Sequence, residues 1–295
     1  MKSINLLAKD NYNLSLDIYE VETPKGYVQI IHGMQEYKDR YNYFATKLNE
    51  AGYSVIVSDI RGHGKNAPIL GYFAESGGYK LVLEDQKLIT KYIEETYNVE
   101  KVILFGHSMG SIISRNLLQT ESVNYEKVIL SGYPNYQPAA KLGISLAKLI
   151  RKVKGGQYNS KLLADMSVGS FNKKIKNPRT NLDWLSYNEE NVDKYISDPY
   201  CGHQFLTSAF VDLFTFLNNM NKVKEYKYVN SIPMLLLRGA DDPCVGGDKG
   251  SQNSINTLTK AGFLDIIEIK YENMRHEILN EDNKDEIIQD IIDFL

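Results

Sequence analysis

The chain has 295 residues, 43% of them hydrophobic and 24% charged, with a formal net charge of −3. That length suits one large α/β domain, or a domain carrying an inserted subdomain. The charge balance argues against a nucleic-acid partner, two cysteines, Cys201 and Cys244, give no disulfide framework, and no window approaches the ~18 apolar residues of a membrane span.

The N-terminal stretch MKSINLLAKDNYNLSL lacks the apolar run of a signal peptide. Together with the sparse cysteines, this leads us to expect a cytoplasmic protein without stable membrane insertion. Transient contact with a lipid surface stays open.

Two β segments open the chain. Ser3 to Ala8 and Leu14 to Glu20 alternate apolar and polar residues around the turn-prone Asp10-Asn11. YVQIIHG is a short apolar strand, followed by a helix from Tyr41 that Gly52 closes. SVIVSDIRGHG is the next strand with a glycine-rich loop, and residues 81–97 carry apolar positions near a helical period. KVILFGHSMG, KVILSG from Lys127, PMLLLRG and FLDIIEIKY from Phe263 read as further strands. SIISRNLLQ and the stretch from about Lys284 to Leu295 read as helices. Strands alternating with helices predict a mostly parallel central sheet flanked by helices. Their near-continuous Val/Ile/Leu runs fit strands covered on both faces.

One interval breaks this rhythm. From about Pro134 to Asn230 no strand is predicted, only helices and polar loops. We expect a core of residues 1–133 and 231–295, with residues 134–230 inserted before the last strands as a helical cap.

In an open parallel sheet, functional loops gather at the carboxyl ends of the strands. Four such ends carry suggestive residues here: His32-Gly33-Met34, Gly106 to Gly110, Asp241-Asp242 and Arg275-His276. In FGHSMGS, Ser108 sits between glycines at a strand-to-helix turn, the setting of an exposed nucleophile. A helix starting at Met109 would aim its free N–H groups at the site, so that the Met109 amide can hold an oxyanion. The base must come from elsewhere. Of the five histidines, His276 lies between the final strand and the final helix and can swing over the sheet edge. His107 adjoins Ser108 and should point away, His32 and His63 belong to their own glycine loops, and His203 lies in the insertion. The orienting carboxylate falls to Asp242, which precedes Pro243, with Asp241 as the alternative. Met34 is the candidate for the second oxyanion amide.

These residues resemble the serine-hydrolase branch of the α/β-hydrolase superfamily, more narrowly its monoacylglycerol lipase and lysophospholipase-like group. IIHGMQEYKDRY is similar to the group's HG-x-x-E-x-x-x-RY loop, SDIRGHGKN to its D-x-RGHG-x-S loop with Asn66 in place of serine, and GHSMGS to its nucleophile elbow. RGADDPCVG resembles the acid loop G-x-x-DPVG, where counting three residues from Gly239 selects Asp242. RHEILNE resembles the loop that bears the histidine. The resemblance covers essentially the whole chain. It implies an α/β-hydrolase fold with Ser108, Asp242 and His276 as catalytic residues and the Met34 and Met109 amides as the oxyanion hole. It also implies a small acyl-ester substrate and needs neither metal nor organic cofactor.

Two segments of the insertion bear on the substrate. QFLTSAFVDLFTFL, from Gln204, offers Phe205, Phe210 and Leu213 as candidate acyl-chain contacts. AAKLGISLAKLI places Leu142, Leu146, Leu149 and Ile150 close to one helical face. The implied substrates are monoacylglycerols, lysophospholipids or similar single-chain esters. An aminopeptidase or amidase on the same fold is the alternative, with Glu189, Glu190 and Asp193 available for a free amine. A binding protein with an inactive hydrolase fold is the third reading.

Overall fold

The computed structural model describes residues 1–228 and 232–295. An eight-stranded sheet runs through it in the order β1-β2-β4-β3-β5-β6-β7-β8. In chain order these are β1 (Lys2–Leu7), β2 (Asn13–Tyr19), β3 (Tyr27–Ile31), β4 (Ser54–Ser58), β5 (Val102–His107), β6 (Tyr125–Ser131), β7 (Met234–Gly239) and β8 (Ile266–Tyr271). β1 and β2 pair antiparallel, as do β2 and β4, and every other pairing is parallel.

Why the central strands read as unbroken apolar runs is visible in β5. All six of its residues are buried. Val102 and Leu104 pack with the core on one face, and Ile103 and Phe105 with the core on the other. Helices α2 (Gly78–Tyr97) and α3 (Met109–Glu121) cover the first face through Val82, Ile89, Ile113 and Leu117. Helices α1 (Asn42–Glu50) and α9 (Lys284–Phe294) cover the second through Phe44, Leu48, Ile287 and Ile291. Each such side chain, fully withdrawn from water, contributes about 2 kcal/mol.

Between β6 and β7, four helices occur among the described residues: α4 (Ala140–Lys154), α5 (Lys161–Ser167), α6 (Glu189–Ser197) and α7 (Thr207–Asn219). The expected boundary at residues 230 and 231 lies outside the described residues. Helix α4 turns a different face inward from the one its leucines suggest. Ala140, Gly143 and Ala147 are its buried residues, whereas Leu142 is 73% and Leu149 58% exposed. The cause is the closeness of α7: a Cβ on Gly143 would meet the Phe214 ring at 2.9 Å. Small residues let the two helices approach, Ile144, Leu146 and Ile150 pack half-buried beside them, and Leu142 and Leu149 are left outside.

One helix carries only a faint apolar signature. α8 (Gly247–Ala261, GDKGSQNSINTLTKA) buries Gly250, Ser251, Ser254, Leu258 and Ala261, a face made largely of small and polar residues. No helix is long and apolar enough to cross a membrane among the described residues.

Candidate active site

Strand β5 delivers Ser108 to the carboxyl edge of the sheet and α3 departs at once. The backbone between them is strained. Ser108 has φ 51° and ψ −116°, a left-handed conformation that a non-glycine residue rarely adopts. The turn is held down by its surroundings: Ser108 N–H donates to the Ser131 carbonyl at 2.9 Å, and Ser111 N–H to the Ser108 carbonyl at 2.9 Å. Gly110 lies so close to the Ile31 carbonyl at the end of β3 that no side chain fits there. The result is a serine pushed out of the sheet edge at the N-terminus of a helix.

His276 and Asp242 meet it from the loops after β8 and β7. His276 Nε2 is 2.8 Å from Ser108 Oγ, and His276 Nδ1 is 2.9 Å from Asp242 Oδ2. Asp242 Oδ1 accepts the Cys244 N–H at 2.8 Å, which fixes the carboxylate plane. Both side chains are buried, and the Trp184 ring lies 5.0 Å from the imidazole of His276. Burial acts to lower the His276 pKa. The Asp242 carboxylate, with Glu277 and Glu36 behind it, outweighs that and raises it above 6.5. Asp241 is elsewhere. It is exposed and accepts the Tyr187 hydroxyl at 2.8 Å.

The other histidines hold loops. His32 accepts the Ile60 N–H at Nε2 (2.9 Å) and bonds the Gly33 carbonyl through Nδ1 (2.8 Å), and burial pushes its pKa down to about 3. His63 Nε2 faces the Gln35 N–H at 3.4 Å and its Nδ1 the Arg61 carbonyl at 3.2 Å. His107 packs its ring 4.9 Å from that of His276, with Nδ1 3.3 Å from Ser131 Oγ, and burial lowers its pKa to about 4. His203 meets the His63 ring edge-on, with the ring centres 5.1 Å apart.

Met34 and Met109 line the same cavity as Ser108 and His276. Among the described residues neither amide N–H has an acceptor within the protein. The loop carrying Met34 is pinned from several sides. Glu36 Oε1 accepts the Gly33 N–H at 2.6 Å, and the Gln35 carbonyl accepts both the Tyr195 hydroxyl (2.8 Å) and the Gly202 N–H (2.9 Å). Gln35 itself has φ 62°.

The cavity measures about 400 Å³, and its walls are mainly apolar, with Ile112, Phe171, Trp184, Leu213, Phe214 and Leu217 among them. Leu213 is thus a lining residue, but Phe205 and Phe210 are not. Phe205 is 0% and Phe210 1% exposed, packed with Phe73, His63 and Phe214 in the core. Helix α7 is buried on nearly every side, so its apolar sequence does not tell core face from cavity face. Two further groups went unassigned on sequence grounds: Trp184 against His276, and the ion cluster of Arg40, Glu36 and Glu277. The available signals for Glu36 and Arg40 are their i, i+4 spacing and their places in the HG-x-x-E-x-x-x-RY loop.

A model of the family described as serine aminopeptidase, S33, matches residues 22–283. A monoglyceride lipase homolog of monkeypox virus is 26% identical over 230 residues, covering 74% of this chain and 71% of that protein. Phospholipase YtpA of Bacillus subtilis is 22% identical over 274 residues, covering 92% and 95%. Among solved structures, a highly thermostable carboxyl esterase from Bacillus coagulans, in complex with glycerol, superposes with a TM-score of 0.91 at 27% identity, covering 99% of this chain and 97% of that one.

Proposed function

Because the chain belongs to the α/β-hydrolase family described as serine aminopeptidase, S33, we propose that it is a serine hydrolase of carboxylic esters, acting on monoacylglycerols, lysophospholipids or related single-chain acyl esters through an acyl-enzyme. The observation that carries this reading is a strained Ser108 whose Oγ lies 2.8 Å from His276 Nε2 at a largely apolar cavity. The similarity to a carboxyl esterase and to a monoglyceride lipase homolog supports it.

The chemistry runs in two halves. Ser108 Oγ attacks the ester carbonyl carbon while His276 Nε2 takes the hydroxyl proton. The carbonyl π pair moves onto oxygen, where the Met34 and Met109 amides receive it. Asp242 accepts the Nδ1 proton of His276 in a hydrogen bond, which holds the tautomer and stabilises the imidazolium. The tetrahedral centre then collapses, the C–O bond to the alcohol breaks, and His276 gives its proton to the leaving oxygen. Water repeats the sequence on the acyl-serine and releases the acid. Residues 134–230 act in this account as a cap that supplies the acyl-binding walls, Leu213 among them.

Amide cleavage at a free amino terminus would need a carboxylate to hold the amine. Glu189 and Asp193 face Arg179, and Glu190 faces Lys194 at 2.7 Å, all on the outer surface of α6. The acidic residues that do line the cavity, Glu36 and Glu277, are bonded to Arg40. The test is a series of p-nitrophenyl esters of rising chain length beside amino-acid p-nitroanilides. Esters should turn over, with kcat/KM rising about threefold to fourfold for each methylene that enters the cavity (~0.8 kcal/mol each) until it is full. Anilide cleavage with inert esters would overturn the reading.

The pH profile carries a second expectation. Catalysis needs His276 neutral, and its pKa is raised. The acid limb of kcat/KM should therefore fall away as pH drops through a value above 6.5. An acid limb centred well below 6.5 would show that a different group titrates.

A further inference from the structure

We propose that Arg40 is a positioning residue that ties the loop of the Met34 amide to the loop of His276, and that Asn191 extends this tie to helix α6. The inference rests on the ester-hydrolase reading of the site and adds to it a group that never touches substrate.

The tie is built from charge-assisted bonds in a buried setting. The Arg40 side chain is 11% exposed, and those of Glu36 and Glu277 are 4% and 3% exposed. Arg40 grips Glu277 with both arms, Nη1 to Oε1 at 2.6 Å and Nη2 to Oε2 at 2.7 Å. Its Nη1 also reaches Glu36 Oε2 at 2.9 Å, and its Nη2 the Asn191 Oδ1 at 2.9 Å. Each partner then holds a different piece of the site. Glu36 Oε1 takes the Gly33 N–H, one residue before Met34. Glu277 follows His276 directly. Asn191 stands on α6 and closes the ring with Nδ2 to Glu277 Oε2 at 2.7 Å. A planar fork with several fixed donors suits this role, and an ammonium does not.

The cluster also sets charge around the base. One arginine faces two carboxylates, so it carries a net negative charge. The other groups that face it are the Tyr41 hydroxyl (2.8 Å from Glu36 Oε1), the Tyr195 ring (5.0 Å from the guanidinium), His107 and Cys201. Burial favours protonated Glu277, but Arg40 overrides it and holds the carboxyl down at about 2. Charged Glu277 and Glu36 in turn favour the protonated form of His276. Without Arg40 the buried Glu277 carboxyl is free to take up a proton, so removing Arg40 should weaken that pull, as removing the charge of Glu277 does.

The test is steady-state hydrolysis of a p-nitrophenyl ester across pH by Arg40→Gln, Arg40→Lys, Glu277→Gln and Asn191→Ala. Arg40→Gln should lose about 10²-fold in kcat with KM within a few-fold, the scale expected when reacting groups drift from alignment. Arg40→Lys should recover only part of this. The acid limb of kcat/KM should move to lower pH in both Arg40→Gln and Glu277→Gln, a shared direction that a general loss of packing, which would bring water to His276 and raise its pKa, does not produce. Folded Arg40→Gln and Glu277→Gln with the parent kcat and unmoved limbs would overturn the proposal. If Arg40→Gln does not fold, Glu277→Gln and Asn191→Ala decide, and parent-like behaviour in both overturns it. Failure of the ester-hydrolase reading looks different: the parent itself would leave esters inert and cleave an amino-acid p-nitroanilide, the substrate on which the same variants are then compared.

Discussion

Ser108→Ala should lower kcat/KM for a p-nitrophenyl ester by at least about 10⁴-fold while the protein stays folded. The size follows from the mechanism: without Oγ there is no acyl-enzyme, and what remains is whatever the oxyanion amides and binding supply to a free water. The fold should persist because little structure hangs on the hydroxyl. The bonds that fix the turn run through the Ser108 backbone, its N–H to Ser131 and its carbonyl to Ser111. The lost side-chain bond to His276 is worth about 1 kcal/mol. Circular dichroism and thermal unfolding check the fold, and the ester assay checks the rate. A folded variant within tenfold of the parent rate would remove Ser108 from its role.

Asp242→Asn is the second large effect. In the amide the oxygen goes to the Cys244 N–H and the NH2 group faces His276 Nδ1 and donates to it, so the ring settles in the tautomer that presents Nε2–H to Ser108 and no carboxylate anchors the imidazolium. The geometry survives and the base is lost, at a cost on the order of 10⁴-fold in kcat. Asp241→Asn should stay within about threefold, since it changes an exposed group bonded to Tyr187. Measuring both variants with the same ester separates the adjacent aspartates. The reverse ranking would mean that the carboxylate 2.9 Å from His276 is not the one that orients it.

Much of this architecture is legible in the sequence because local and global signals agree. The apolar runs of β3, β5, β6 and β7 are strands buried on both faces, and the loops at their carboxyl ends are short and rich in glycine. Ser108 and Asp242 can be placed because each closely follows such a strand, and His276 because it lies between β8, a largely exposed strand, and the final helix. Other features have little or no local signature. Helix α8 packs largely on serines and glycines, so only a faint apolar stripe marks it. The leucines of α4 suggest a buried face, yet closeness to Phe214 selects Ala140, Gly143 and Ala147 instead. Phe205 and Phe210 belong to the core and Leu213 to the cavity, a division that depends on where α7 lies against its neighbours. The grip of Arg40 on Glu277 joins residues 237 positions apart, and only the folded chain brings them together.

The most direct measurement of the central claim is covalent capture of the nucleophile. The folded protein is treated with a fluorophosphonate and digested, and the adduct is located by mass spectrometry. The account predicts one modified site, Ser108, with labelling lost on prior denaturation and lost in His276→Ala. No adduct on the folded protein, or an adduct on another residue with Ser108 untouched, would contradict it.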